Sequence, residues 1–350
     1  MSEIVIKNNG IEPNLALAAF GADELPPIVQ AAGAGAAFAY SEFFANISNK
    51  NTKEAYERAL KRFFGWLEDK APGLQLHQIM PVMIRNYLTE LTDSRAAKKS
   101  ELEPIKVSPA TRKQHHSALN HFFDKCVERQ AMALNPAASL RGERASHTEG
   151  KTPEIGVKKA RALLASIDTG TLIGKRDKAI IAVMIYTAAR VGAVAALRLT
   201  DFAVDGYTAM LHFKEKGGKY RQIPCRDDLR SIIEDYIKAA QLDPQRDKAS
   251  PLFRTLNSKE KKKLSQTGVD RVDIYKMMQR RIKAAGLIEP FGKTLSPHSF
   301  RVTTITNLLE SSVPLEDVQR LAGHADPRTT RLYDRTAKKV IKNIVERIGI

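Results

Sequence analysis

The chain has 350 residues, 43% of them apolar, with 56 Lys and Arg against 39 Asp and Glu, a net charge of +17. At about 150 residues per domain that length suggests two or three domains, and the apolar share excludes a disordered chain. The positive excess asks for a polyanionic partner, nucleic acid most simply. The first 40 residues set only Lys7 against Glu3, Glu12, Asp23 and Glu24, so the excess lies beyond them. Cys126 and Cys225 are far apart, which excludes a disulfide framework or a cysteine zinc site and fits a reducing cytoplasm. The apolar runs fall well short of the ~18 residues of a membrane span, and the N-terminus lacks the basic and apolar regions of a signal peptide. No membrane partner is expected.

Residues 1–40 are acidic and rich in Ala and Gly, and read as an arm of unknown role. From 41 to 140 the pattern is helical. Tyr56, Leu60, Phe63, Phe64 and Leu67 recur on one helix face, with Asn51 and Glu54 as a capping box at its start. A second helix carries Ile84, Tyr87, Leu88 and Leu91. A third opens on Ser108 as N-cap and Pro109, then runs through Leu119, Phe122, Phe123, Cys126 and Val127. The aromatics read as core rather than a base-stacking platform. Lys53, Arg58, Lys61, Arg62, Arg112, Lys113 and Lys125 fall on the solvent faces. Asn135-Pro136 closes this unit, and the polar, aperiodic stretch 141–153 reads as a linker.

From 154 to 336 the chain is mixed. Helices are expected at 157–167, 175–199, 227–240, 269–285, 297–311, 315–322 and 327–333, and a last one at 337–348 in a C-terminal tail, 337–350. Residues 209–213 and 220–224 flank Gly217-Gly218, a hairpin signal. The fold class is therefore mainly α with one small antiparallel β-sheet. In the tail, Val340, Ile341, Ile344, Val345 and Ile348 form an apolar stripe that needs a surface to cover it.

Several polar residues stand in unusual settings. Arg190 lies inside a nearly all-apolar helix, where an arginine needs an anionic partner or a helix break. Lys216 precedes the hairpin turn. Ser296 and Pro297 open a helix that carries His298 and Arg301 on one face of its first turns, and such a terminus suits a phosphate. Gly323 ends a short helix just before His324, and Asp326-Pro327 starts another that leads to Tyr333 on a polar segment. His115, His116 and His121 do not converge for a metal. Lys259, Lys261, Lys262 and Lys263 read as a solvated charge run.

The order Arg190, Lys216, His298-x-x-Arg301, His324, Tyr333 resembles the tyrosine recombinase (phage integrase) family, and the resemblance covers roughly residues 42–340. Asn51-Thr52 with Tyr56, Ser108-x-x-Thr111 and Asn135-Pro136 look like the family's N-terminal helical core-binding (SAM-like) domain, ahead of a C-terminal catalytic domain. Lys216-Gly217-Gly218-Lys219-x-Arg221-x-Ile223-Pro224 looks like its lysine-bearing hairpin. The chain departs from the family pattern in two places. Ala188-Ala189 stands where Gly-Leu is frequent, and Ala193 where an acid is usual, which puts the buttressing of Arg190 in question.

The resemblance implies a site-specific DNA recombinase. Tyr333 would be the nucleophile, giving a 3′-phosphotyrosine link. Arg190 and Arg301 would clamp the phosphate, Lys216 would protonate the departing 5′-oxygen, His298 would assist Tyr333 and His324 would hydrogen-bond the phosphate. Exchange of one ester for another requires no ATP, and with the arginines carrying the charge neither cofactor nor metal is expected. The implied partners are double-stranded DNA and further copies of the chain, a dimer per site and a tetramer in synapsis, with accessory DNA-bending proteins as further candidates. A topoisomerase or telomere resolvase of the same cleavage type is the chemical alternative. A catalytically silent DNA-binding or architectural protein is the alternative from another class, favoured only by Ala193.

Overall fold

The computed structural model describes residues 25–93, 105–140, 152–214, 220–257, 263–287 and 295–334. The chain divides into two compact units, Met1–Ser146 and His147–Ile350.

The first unit is helical: α1 (Pro27–Ala31), α2 (Ala34–Ala45), α3 (Lys50–Lys70), α4 (Pro81–Glu90) and α5 (Pro109–Glu128). Residues 25–40, expected to belong to an arm, instead supply α1 and most of α2. Val29, Ala36, Ala39, Phe43 and Phe44 join Leu60, Phe63, Phe122 and Phe123 in one core. Alanine on several sides of α2 lets it pack against α5 without a bulky stripe. The start of α3 also differs from expectation. The Asn49 side chain, not Asn51, accepts the Asn51 and Thr52 N–H groups at 3.0 and 3.2 Å. The start of α5 is as expected, with Ser108 Oγ accepting the Thr111 N–H at 3.2 Å.

Phe63, Phe64, Tyr87, Phe122 and Phe123 are core, as expected. Phe63 meets Tyr87 edge to face at 5.0 Å between centroids, and Phe122 meets Phe123 at 5.3 Å. The Tyr87 hydroxyl lies 2.8 Å from His115 Nδ1 in this interior. Burial pushes His115 down to about 4, so the pair is neutral.

The second unit holds α6 (Val157–Ser166), α7 (Leu172–Thr187), α8 (Val191–Ala195), β1 (Phe202–Asp205), β2 (Thr208–Lys214), β3 (Tyr220–Pro224), α9 (Asp227–Ala239), β4 (Arg254–Leu256), β5 (Leu264–Gly268), α10 (Arg271–Ala284), α11 (Pro297–Glu310), α12 (Leu315–Ala322) and α13 (Pro327–Arg331). Among the described residues there are two antiparallel sheets rather than the single one expected, β1-β2-β3 and β4-β5. The second was illegible because its strands are short and its side chains largely polar and half-exposed. In the first, Leu211 pairs with Phe202 and Ile223, and Phe213 with Arg221. Lys216 and Gly217-Gly218 lie outside the described residues, as do the tail from 335 and most of the 259–263 charge run.

Helix α7 is the central rod, with Ile180, Ile181, Val183 and Met184 fully enclosed. It also buries Asp177, which accepts from Arg176 Nη2 at 2.8 Å and from Arg281 Nη2 at 2.8 Å. Arg176 Nη1 continues to the Arg254 carbonyl at 3.0 Å. Removing the carboxylate leaves cationic groups uncompensated in the interior. Asp177→Ala is therefore expected to destabilise the chain by about 3–5 kcal/mol in a denaturant titration. A loss below about 1 kcal/mol would show the network to be no more than a surface pair.

Candidate active site

The expected continuous helix over 175–199 breaks at its middle. Helix α7 stops at Thr187, and Ala188 takes a left-handed turn at φ 49°. The chain restarts with Arg190 as the N-cap of α8. Arg190 is exposed, and so is presented to solvent by the break rather than embedded in the apolar run. Ala193 lies half-buried against the core.

Arg301 has the opposite setting, 1% exposed on the first turns of α11. Its Nη1 donates to the Ala188 carbonyl and its Nη2 to the Ala322 carbonyl, the latter at 2.6 Å. Those carbonyls belong to the ends of α7 and α12, where helices leave acceptors unfilled. The start of α11 is itself tied down by the Ser296 N–H donating to Ser299 Oγ at 3.0 Å.

Gly323 ends α12 in the left-handed conformation that the sequence predicts, at φ 64°. The turn is completed by the His324 N–H donating to the Gln319 carbonyl at 3.2 Å. His324 is 8% exposed, and its Nδ1 lies 2.9 Å from Thr330 Oγ1, a buried hydroxyl on α13. Asp326 caps that helix by accepting the Arg328 N–H at 2.9 Å.

Tyr333 follows α13 and is 9% exposed. Its ring enters a small apolar cluster with Ala188, Val302, Ile305, Val318 and Ala322. The His324 ring lies parallel to it at 5.8 Å. The Tyr333 hydroxyl lies 3.2 Å from His298 Nε2. Arg190, His298, Arg301, His324 and Tyr333 are thus carried on elements that meet at the ends of α7 and α12. Thr330, and Arg221 on β3, belong to the same framework and were not singled out from the sequence as site residues. Arg221 entered only as part of the hairpin motif, and its acceptors are brought in by tertiary contact; Thr330 meets His324 across six residues of local chain.

The electrostatics follow from burial beside cations. Burial, then the Arg301 and Arg190 charges, hold His298 below its ordinary value. The same causes push His324 down to about 4. Burial raises Tyr333, while the two arginine charges and a hydrogen bond from Arg301 pull the other way. At neutral pH both imidazoles are therefore uncharged, and His298 Nε2 is able to accept the phenolic proton.

Residues 155–339 match the Phage integrase family, and residues 41–130 match the Phage integrase N-terminal SAM-like domain. The chain belongs to the phage integrase family. Tyrosine recombinase XerD of Listeria monocytogenes is 26% identical over 301 residues, spanning 84% of this chain and 91% of that protein. Among solved structures, XerH site-specific recombinase bound to a palindromic difH substrate, a post-cleavage complex, superposes with a TM-score of 0.65 at 20% identity, covering 84% of this chain and 79% of that one. A lambda integrase dimer on a COC′ core site gives 0.59 at 15% identity, covering 86% and 94%. Both likenesses are of fold.

The SAM-like unit of this integrase-family chain carries its expected basic face only in part. Lys53, Arg58, Lys61 and Lys113 are exposed. Arg62 instead donates to the Thr92 carbonyl, Arg112 to that of Val107, and Lys125 pairs with Glu128 at 2.6 Å. Among the described residues no helix is long and apolar enough to cross a membrane.

The depressed His324 value has a thermodynamic consequence. An unfolded histidine protonates near 6.5 and this folded one near 4, so the unfolded chain binds more protons between those values. The His324 contribution to stability is thus complete above pH 6.5 and falls as pH drops through that window. Denaturant titrations at pH 7 and pH 5 should show a smaller loss for His324→Asn than for the natural chain. An identical loss would mean that His324 titrates normally when folded.

Proposed function

We propose that this chain is a site-specific DNA recombinase that cuts and rejoins double-stranded DNA through a 3′-phosphotyrosine intermediate. Membership of the phage integrase family supports this reading, as do relatives named tyrosine recombinases and fold neighbours held on DNA. The observation that carries it is the convergence on one buried phenol of a neutral imidazole at 3.2 Å and a buried guanidinium.

A free phenol is only about 0.1% ionised at pH 7. Burial makes Tyr333 weaker still as an acid, so attack requires a base and a positive field. His298 Nε2 accepts the phenolic proton as the Tyr333 oxygen bonds to phosphorus. Arg190 and Arg301 neutralise the non-bridging oxygens of the pentacoordinate transition state. With one nitrogen engaged at Thr330, His324 keeps its other for a phosphate oxygen. Lys216 delivers a proton to the departing 5′-oxygen. Resealing runs the same steps backwards, with a 5′-hydroxyl displacing the tyrosine. The bond energy is kept in the ester throughout. The working assembly is a dimer on each site and a tetramer in synapsis, associated with DNA in the cytoplasm.

Tyr333→Phe keeps the ring and removes the nucleophile. Binding to a target duplex should persist, and the covalent protein–DNA adduct trapped on a nicked substrate should vanish. An adduct that survives in the variant moves the nucleophile to another residue, such as the exposed Tyr220 or Tyr275. A natural chain that binds but never forms an adduct is the silent DNA-binding protein. Relaxation of supercoiled DNA lacking any target site would point to a topoisomerase.

Binding should also fall steeply with salt. Six to ten phosphate contacts imply a loss of about 10³–10⁵ in affinity between about 50 and 200 mM salt. A flat response over that range would exclude DNA as the main partner.

A further inference from the structure

A neutral imidazole carries one N–H and one bare nitrogen, and which is which decides what it offers an anion. His324 is neutral at pH 7, since burial and the charges of Arg301 and Arg190 push it down to about 4. With the proton on Nε2, the ring donates to a phosphate oxygen. With the proton on Nδ1, the ring turns the Nε2 lone pair toward that oxygen and repels it.

A buried hydroxyl makes the choice. His324 Nδ1 lies 2.9 Å from Thr330 Oγ1. Thr330 is 0% exposed and His324 8%. A hydroxyl has a single proton and, once out of water, must place it on an acceptor or lose a hydrogen bond. Among the described residues Nδ1 is the partner that the structure gives this hydroxyl. Thr330 therefore donates and Nδ1 accepts, which leaves the imidazole proton on Nε2. In the opposite arrangement Nδ1 would be the donor, and the threonine proton would be buried without an acceptor.

The same bond fixes the direction of the ring. The His324 ring lies 5.8 Å from that of Tyr333 and is inclined to it by only 7°. Stacking sets the plane, but a half-turn about the bond to Cβ keeps that plane and exchanges nitrogens for carbons. The bond at Nδ1 opposes that half-turn. Thr330 belongs to α13 and stands three residues before Tyr333, so the helix that leads to the nucleophile also holds the imidazole beside it.

We propose that Thr330 is a positioning residue, whose hydroxyl locks His324 in the orientation and tautomer that present an Nε2 proton to the phosphate. This rests on the reading of His324 as a phosphate contact. Thr330 acts through the ring nitrogens, so its effect on the reaction requires them.

The test makes two measurements on the full chain. Long-range proton–nitrogen correlation spectra, with the His324 signals assigned by their loss in His324→Phe, report where the imidazole proton sits. Covalent adduct formation on a nicked target duplex reports the reaction. In the natural chain Nδ1 should be bare and Nε2 protonated. Thr330→Val keeps the shape of the side chain and removes the hydroxyl. It should draw the two nitrogen shifts together as the tautomers mix. It should also slow adduct formation about tenfold, short of the ~10²–10³ that loss of a whole preorganised donor costs. Thr330→Ser, which keeps the hydroxyl, should return both readings toward their natural values. In the His324→Phe background Thr330→Val should slow the reaction by less than about twofold further.

A merely structural role predicts equal slowing with and without the His324 ring nitrogens, and that outcome overturns the proposal. So does Thr330→Val reacting at the natural rate. So does a natural chain whose His324 proton is on Nδ1, a measurement that needs no variant to fold. A natural chain that forms no adduct ends the recombinase reading and the proposal with it. A proton on Nδ1 in a chain that does form the adduct ends the proposal alone.

Discussion

A guanidinium buried among helix ends has to be satisfied by acceptors or it would destabilise the core that surrounds it. Arg301 meets that requirement with two peptide carbonyls, one at the end of α7 and one at the end of α12. The same bonds fill acceptors that each helix cannot fill internally. The position of Arg301 and the arrest of the two helices are therefore one constraint. Arg190 and His324 are placed by the turns that follow those arrests, Ala188 in one case and Gly323 in the other. Tyr333 is placed by α13, the short helix whose Thr330 hydroxyl lies against His324 Nδ1.

The positive field that results sets the proton states. His298 and His324 lie beside two arginines in a partly dry setting, so both stay neutral where an exposed histidine would begin to protonate. Tyr333 feels two opposed effects. Burial disfavours the phenolate, and the arginines favour it. Burial is the larger effect, so the phenol is held above its ordinary value.

Periodicity made the long amphipathic helices legible, and turn residues made their ends so. Ser108-Pro109, Gly323 and Asp326-Pro327 all act as local chemistry predicts, and the hairpin strands lie close to where alternation and the glycine pair put them. The failures have local causes as well. Helix α2 has alanines around its circumference, so no stripe marks it. The break at Ala188 uses a left-handed alanine, which no residue preference announces. Its stabilisation comes from Arg301, 113 positions away in sequence. Arg221 is likewise invisible as a joint, since its acceptors lie 34 and 100 positions away. Spacing along the chain could suggest which side chains do chemistry, but not the carbonyls that hold them.

The arginines at the helix ends take acceptors of a different kind from those elsewhere in the second unit. Elsewhere in the second unit arginines meet carboxylates: Arg176 and Arg281 share Asp177, Arg226 meets Asp228, Arg230 meets Glu234 and Arg328 meets Asp326. A carboxylate fixes an arginine and cancels its charge. A peptide carbonyl fixes it and leaves the charge intact. For a group proposed to stabilise a phosphate that gains charge in the transition state, the second arrangement is the stronger one. Arg301 and Arg221 are held in this second way, by backbone carbonyls at the ends of α7 and α12, which fix the guanidiniums without cancelling their charge.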